Sequence, residues 1–458
     1  MNFKETIDQQ TIVAQCTPQG PGALGLIRLS GEKAWEVAEK ICRLSSKKKL
    51  SECETHTIHH GSIIDPRRQQ IDSVMFSLMR SPRTFTGQDT VEITCHNSQF
   101  IIDSIIELSI MHGARLAHHG EFSQRAYLNK KIDLLQAEAI NELIHANTQS
   151  ALKSSLAQLN GSLSQYISSL EDDLITALAL SEASFEFLDD EGDFHRMIAN
   201  KLQNILDKIE ILKKDFNNYN VIRQGIRIAL IGSVNAGKSQ LFNTLVHQKR
   251  AIVNEQAGTT RDSIEYGMYK NGMYLTFVDT AGLRQTHDYI EQEGIARSYD
   301  EAHKADIILL IIDNSRTQTA QEEIIYHTIK NAYTHKIITV CNKTDLANIN
   351  TITTQDTITT SGLTGAGCEQ LEQAIFNKIS HLIDAQQSPF LLNKRHYTIL
   401  VRIEDTIKKI ASTLTDNVHY ELLSIELKNA LEDNGELTGK SISEAGLNAV
   451  FKEFCVGK

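Results

Sequence analysis

One octapeptide, Gly232-Ser233-Val234-Asn235-Ala236-Gly237-Lys238-Ser239, constrains the fold more than any other part of the chain. It follows the apolar run Ile226 to Ile231, which reads as a buried strand, and precedes Leu241 to Leu245, which reads as the start of a helix. Strand, glycine-rich turn and helix together make G-x-x-x-x-G-K-[ST] a phosphate-binding loop. Loop amides and a helix N-terminus attract anionic phosphates. In such a loop Lys238 reaches the outer phosphates and the Ser239 hydroxyl ligates magnesium.

Three further stretches select the nucleotide. Tyr274 to Val278 reads as a strand ending in Asp279-Thr280-Ala281-Gly282. An acid there holds magnesium through water, and Gly282 lets its amide approach a γ-phosphate. Lys336 to Val340 is another strand candidate, followed by Asn342-Lys343-Thr344-Asp345. In N-K-x-D the aspartate accepts from the N1 and N2 hydrogens of guanine, which adenine does not offer. Ser361-Gly362-Leu363 falls where a third base-reading loop belongs, as a loose match. Motifs in this order, each after a strand, predict a GTP-binding α/β domain.

At 458 residues the chain is too long for one core, and about two to four domains are expected. The 46 basic and 57 acidic residues leave a net charge of −11, which argues against a generally basic nucleic-acid-binding surface. Cys16, Cys42, Cys53, Cys95, Cys341, Cys368 and Cys455 form no C-x-x-C pair and suit reduced thiols in a cytosolic protein. There is no basic-then-apolar signal at the N-terminus, and the most apolar run, Ile307 to Ile312 between Asp306 and Asp313, is too short to span a bilayer. A soluble, cytoplasmic protein with no membrane partner is expected.

The chain reads as α/β plus all-α. Residues 1–127 form a mixed domain, with strands at Thr11 to Gln15, Leu24 to Leu29, Val74 to Met79 and Thr90 to Thr94, and helices at Ala34 to Cys42 and Ile101 to His112. Residues 128–223 turn helical. Leu152, Leu156, Leu159, Leu163, Ile167, Leu170, Leu174 and Leu178 recur at three- and four-residue steps, as the core stripe of a bundle, only mildly interrupted at Gly161. Leu188 to Asp193 reads as an acidic interhelical turn. The GTP-binding domain occupies 224–383, and helical spacing resumes in 384–458 at Ile403, Ile407, Ile410 and Leu414, then at Tyr420 to Leu431 and Leu447 to Phe454. The simplest architecture inserts a Ras-like P-loop domain into one helical domain.

The hydrolytic apparatus differs from that of small switch GTPases. Leu283 occupies the position where a glutamine would orient the attacking water. Asp288, Glu291 and Glu293 lie just downstream and are equal candidates on sequence. Arg261 and Arg284 are near in sequence, without any sign that they reach the γ-phosphate. Asn235 offers an amide oxygen that suits a monovalent cation, and such a cation neutralises transition-state charge in place of arginine.

The combination resembles the MnmE/TrmE family of tRNA-modification GTPases over essentially the whole chain. The likeness includes Thr11-Ile12-Val13-Ala14-Gln15, Phe85-Thr86-Gly87-Gln88-Asp89 with Glu92, and Gly120-Glu121-Phe122-Ser123-Gln124-Arg125-Ala126. It continues through Ile132 to Ala139, the switch-like Gly258-Thr259-Thr260-Arg261-Asp262, and the terminal Cys455-Val456-Gly457-Lys458. The resemblance implies a homodimer joined through its N-terminal domains. It implies work with a flavoprotein, MnmG, which carries the FAD, to place an aminomethyl-type group on C5 of the wobble uridine of certain tRNAs. It implies an N-terminal domain that binds 5-formyl- or methylene-tetrahydrofolate through Arg28, Glu92, Lys131 and Lys458. Glu92 suits the amino edge of a pterin, while Arg28 and the lysines suit its polar or anionic parts.

By the same resemblance the nucleotide lies against Asn235, Ala236, Gly237, Lys238, Ser239 and Gln240, then Asn254, Glu255, Gln256, Ala257, Gly258, Thr259 and Thr260, then Asp279 to Gly282, and finally Asn342, Lys343 and Asp345. Potassium falls to Asn235, Asn254, Gln256 and Thr259, and magnesium to Ser239 and Thr260. Glu291 takes the catalytic role among the downstream acids, and Cys455 matches a cysteine needed for modification. Departures from the family pattern are Ser233-Val234 in place of Arg-Pro, Gln240 for a serine, Asn254 for a threonine and His119 for a proline. Two other readings fit parts of the chain: a GTP-controlled RNA assembly factor, and a folate-dependent one-carbon transferase with a regulatory GTP-binding domain.

Overall fold

A computed structural model describes residues 10–184, 191–214, 216, 223, 225–233, 235–247, 253–255, 264–279, 299–346, 357–383, 390–414 and 420–457. The chain divides into two compact units. One comprises Met1–Asn141, Ala157–Lys208 and Thr398–Lys458, the other Glu142–Leu156 and Ile209–Tyr397.

The first unit opens with β1 (Ile12–Gln15), β2 (Leu24–Ser30), α1 (Ala34–Ile41), β3 (Cys42–Leu44), β4 (Thr57–Ile64), β5 (Gln70–Met79), β6 (Thr90–His96), α2 (Gln99–Met111), β7 (Arg115–Leu116) and α3 (Glu121–Leu128). The sheet runs β3-β4-β5-β6-β2-β1-β7, antiparallel throughout except for the β1–β7 pair. Alternation along β5 turns Val74, Phe76 and Leu78 inward. There they meet Trp35, Val37, Ala38 and Ile41 of α1 and Ile102, Ile105 and Leu108 of α2. Strand β4, Thr-Ile-His-His-Gly-Ser-Ile-Ile, is not apparent in sequence because its own polarity pattern is weak; pairing with β5 makes it a strand.

The helical segment contains α4 (Leu134–Ile144), α5 (Gln149–Leu159), α6 (Ser162–Ala183) and α7 (Glu191–Lys213). The single leucine stripe does not survive. The chain turns at Asn160 and Gly161, with Gly161 at φ +92°, so α6 begins on a new rotational setting. Leu163, Ile167, Leu170 and Leu174 are buried, whereas Leu152 and Leu156 are 44% and 42% exposed. Residues 185–190, most of the expected acidic turn, lie outside the described residues.

The second unit holds β8 (Ile226–Gly232), α8 (Lys238–His247), β9 (Val253–Glu255), β10 (Ile264–Lys270), β11 (Met273–Asp279), β12 (Ile307–Asp313), α9 (Ala320–Ala332), β13 (Ile337–Asn342), β14 (Thr357–Thr359) and α10 (Cys368–Ile383). Sheet order is β14-β13-β12-β8-β11-β10-β9, parallel from β14 to β11 and antiparallel at β10 and β9. Every residue of β12 is buried, as expected for a central parallel strand covered on both faces. One face packs Leu241 and Phe242 of α8 with Leu371, Ile375 and Ile379 of α10, and the other packs Tyr326 and Ile329 of α9.

The chain ends in α11 (Lys394–Thr413), α12 (Tyr420–Thr438) and α13 (Glu444–Lys452). Helices α6 and α12 meet through Ser181 Oγ and Ser424 Oγ at 2.9 Å, with Glu182–Lys428 and Glu171–Lys440 ion pairs alongside. Helix α13 returns to α4, where Leu447, Phe451 and Phe454 bury against Leu134 and Ala137. The tail after α13 is thereby delivered to the N-terminal sheet.

Candidate active site

The phosphate loop leaves β8 at Gly232 and enters α8 at Lys238, three residues earlier than the sequence reading at Leu241. Lys238 and Ser239 therefore lie in the first helical turn, whose amides face the loop. Asn235 and Gly237 take left-handed backbone at φ +65° and +87°. An added Cβ on Gly237 would come 2.4 Å from Asn342 Nδ2. Lys238 is only 4% exposed, and its ammonium donates to the carbonyls of Gly232 at 2.7 Å and Ser233 at 2.8 Å. Ala236 is buried, whereas Asn235, Ser239 and Gln240 are exposed.

Asn342, at the end of β13, joins the loops. Its Nδ2 donates to Ala236 O at 2.9 Å, and its Oδ1 accepts from Gly362 N at 3.0 Å. Asp345 Oδ1 accepts from Ser361 Oγ at 2.5 Å, and Thr344 Oγ1 donates to Thr360 O at 3.0 Å. The loosely matched Ser361-Gly362-Leu363 stretch thus lies against both the N-K-x-D motif and α8, where Thr244 Oγ1 donates to Gly362 O at 2.6 Å. Lys343 donates to Asp313 Oδ2 at 2.7 Å. Burial pushes the Asp313 carboxyl up, but Lys343 and Ser315 outweigh it and hold the group below its ordinary value. Sequence reasoning used Asp313 only as the end of an apolar run; an acid closing an otherwise fully apolar strand was the available signal. Ser233, Arg316 and Tyr326 gave no such signal, because they meet only in three dimensions.

Asn254 and Glu255 lie in β9 and Asp279 ends β11, described by backbone alone. Gln256, Ala257, Gly258, Thr259, Thr260, Thr280, Ala281, Gly282, Glu291 and Lys458 lie outside the described residues, as do Asp288 and Glu293.

A second constellation occupies the first unit. Arg28 of β2 and Glu92 of β6 are cross-strand partners. Both Nε and Nη2 of Arg28 reach Glu92 Oε1, at 2.8 and 2.7 Å. The guanidinium sits 5.5 Å from the Phe122 ring centre and 6.0 Å from that of Phe85. Oε2 of Glu92 has no hydrogen-bond partner among the described residues. Lys131 is exposed and its aliphatic stem lies against Gly87.

The tail docks nearby. Gly120 N donates to Cys455 O at 3.3 Å, His119 Nδ1 donates to Phe454 O at 3.1 Å, and the Cys16 thiol donates to Gly457 O at 3.2 Å. Cys16 directly follows β1, and Ala14 of β1 pairs with Arg28. The tail that carries the exposed Cys455 is therefore seated at the C-terminal end of β1, the strand next to the one that carries Arg28.

A glycine-rich phosphate loop tied through Asn342 to a guanine-reading loop, on a mostly parallel sheet, defines a P-loop GTPase. The remaining chain narrows the class. Residues 11–131 match the GTP-binding protein TrmE N-terminus, and residues 134–455 match the MnmE helical domain. The tRNA modification GTPase MnmE of Bacillus subtilis is 36% identical over 460 residues, covering 98% of this chain and 100% of that protein. The protein of the same name from Fervidobacterium nodosum is 36% identical, covering 99% of each. The chain belongs to the MnmE family of tRNA modification GTPases. No helix among the described residues is long and apolar enough to cross a membrane.

Proposed function

We propose that this chain is a potassium-activated GTPase that works as a homodimer with a flavoprotein partner. Together they modify C5 of the wobble uridine of tRNAs with a one-carbon unit drawn from a tetrahydrofolate. The observation that carries the modification half of the reading is the seating of the tail, Gly457 on Cys16, at the end of β1, whose neighbour β2 carries Arg28 paired with Glu92, in the same chain as a guanine-nucleotide loop. The domain limits proposed are 1–127 for the folate and dimerisation domain, 128–223 and 384–458 for the helical domain, and 224–383 for the GTPase domain.

The residues present fit the groups invoked. A pterin offers a 2-amino and an N3 hydrogen on one edge, which suit the unpartnered Glu92 Oε2, while Arg28 is fixed by its ion pair to Glu92 Oε1. Lys131, and Lys458 in the tail, suit the anionic glutamate end. The Ser239 hydroxyl at the start of α8 suits magnesium, with Thr260. The exposed Asn235 amide oxygen has no hydrogen-bond partner among the described residues and is a hard donor suited to potassium, alongside Asn254, Gln256 and Thr259. The cation supplies positive charge where small GTPases recruit an arginine. Lys238 neutralises the outer phosphates, Glu291 orients a water for in-line attack on the γ-phosphorus, and the P–O bond to GDP breaks to release phosphate.

The deciding experiment is nucleoside mass spectrometry of tRNA from cells lacking the gene. Loss of the C5 aminomethyl-type nucleoside, restored by the wild-type chain and not by Cys455→Ser, supports the reading; an unchanged nucleoside profile sinks it in favour of an RNA assembly factor. In purified protein, turnover in potassium is expected to exceed that in sodium by about tenfold or more at equal ionic strength. Equal rates remove the cation from the mechanism.

A further inference from the structure

The second residue of the phosphate loop is held on three sides. Ser233 N–H donates to the Tyr326 hydroxyl at 2.9 Å, Ser233 Oγ accepts from Arg316 Nη2 at 3.1 Å, and the Ser233 carbonyl accepts from Lys238 Nζ at 2.8 Å. Each partner is itself fixed. Tyr326 is 7% exposed within the apolar cluster of Ile308, Leu310 and Ile329, so packing sets the position of its hydroxyl. Arg316 forks onto Glu322, at 2.9 Å from Nη1 and 2.5 Å from Nη2, and Glu322 in turn forms a capping box with Thr319 at the start of α9.

Arg316 Nε also lies 3.8 Å from Asp313 Oδ2, the oxygen that takes Lys343. A polar chain therefore runs from Lys238 through Ser233, Arg316 and Asp313 to Lys343. It links the lysine that reads phosphate to the lysine of the guanine motif.

We infer that Arg316 and Tyr326 are positioning residues for the nucleotide, fixing Ser233 so that its carbonyl aims the Lys238 ammonium. An ammonium has three donors. On Lys238 the Gly232 and Ser233 carbonyls are two of the acceptors that locate the ammonium, so its position depends on where the Ser233 peptide is held. Rotation of the Ser233 peptide would withdraw one of those acceptors and displace the ammonium. The Arg316 salt link pulls the Glu322 carboxyl down to about 2, so the fork stays ionised through the working pH range. The inference rests on the GTP-binding reading of this loop, and binding of GDP by the wild-type chain is measured first to separate the two.

The test uses the full chain and release of a fluorescent GDP analogue. Arg316→Ala, Ser233→Ala and Tyr326→Phe are each expected to speed release about five- to tenfold, as for one lost hydrogen bond of this kind. Arg316→Ala and Ser233→Ala share one contact, so the double variant should be no faster than the faster single. In steady state the rise in KM for GTP should exceed the fall in kcat, and the melting temperature of the nucleotide-free protein should stay within about 2 °C of wild type. Tyr326→Phe keeps the ring and guards against misfolding of the arginine variant. Unchanged release in all three, multiplicative effects in the double variant, or a melting temperature that falls in step with release overturns the inference. Wild-type protein that binds no GDP overturns both it and the GTP-binding reading.

Discussion

The phosphate loop and the Arg28–Glu92 pair with the tail seated near it place opposite demands on the chain. The first is written in eight consecutive residues and completed by Asn342 and Gly362 from two later loops. The second draws on Cys16, Arg28, Glu92, His119, Gly120 and the last residues of the chain, separations of up to 441 positions. The first is governed by backbone shape, because amides and a helix start do the binding. The second is governed by docking, because the strands hold Arg28 to Glu92 while Cys16, His119 and Gly120 hold the tail only as long as it stays seated. Substitutions should therefore act locally and severely in one, and through tail release in the other.

The largest effect is expected at Gly237. An alanine there must take φ near +87° and thrust its Cβ to 2.4 Å from the amide that Asn342 uses to hold Ala236. Strain and a lost tie together should weaken GDP binding about a hundredfold, read by titration calorimetry. Folate binding should not change. If folate binding falls too, the two sites are not independent and the contrast fails.

Gly457→Ala is the matching test in the tail. Gly457 sits at φ +92°, and an added Cβ would come 2.4 Å from Gln15 O. The tail should lift, and wobble-uridine modification in cells should fall about tenfold, while GTP turnover by the purified chain stays near wild type. Full modification would show that the seated tail is not the working one.

A smaller effect is expected from Glu92→Gln. Shape is kept but the negative charge beside Arg28 is removed, along with one pair of acceptor sites. Binding of a tetrahydrofolate should weaken about fivefold to tenfold, with GDP binding as the internal control. Unchanged folate affinity would place the pterin elsewhere.

Legibility in the sequence follows the same division. The GTP-binding domain was visible because strand, loop and helix are contiguous and the motif chemistry is local. The third base-reading loop was only loosely visible, since Ser361 and Gly362 act through a hydroxyl and an amide that many residue types supply. In the N-terminal domain β1, β2, β5, β6, α1 and α2 were legible from periodicity, whereas β4 and α3 owe their form to neighbours. Nothing in the spacing of Arg28 and Glu92 announces a pair; only the resemblance singled them out. The leucine stripe misled because three- and four-residue spacing carries across a two-residue turn at Gly161 without recording the change of face.

The last expected effect concerns acid and is read on stability, not on binding. Helix α3 carries Phe122 beneath Arg28 and follows Gly120, which holds Cys455. It is anchored by Glu121, whose carboxylate accepts from Arg115 at 2.7 and 2.8 Å, from Arg125 at 2.9 Å and from His118 N at 2.9 Å. Burial pushes the Glu121 carboxyl up, but Arg115, the His118 amide and Arg125 together hold it below its ordinary 4.5. A carboxyl whose pKa is lower folded than unfolded adds stability that is complete above the unfolded value and is lost as pH falls through the folded one. This group alone contributes a slope of at most about 1.4 kcal/mol per pH unit below pH 4.5. Glu121→Gln should flatten that acid limb in thermal melts. It should also lower stability at neutral pH by about 3 kcal/mol, because Arg125 would be left buried beside a neutral amide. If the acid limb keeps its slope in the variant, the proton is taken up elsewhere, and the anchoring of α3 does not rest on the charge of Glu121.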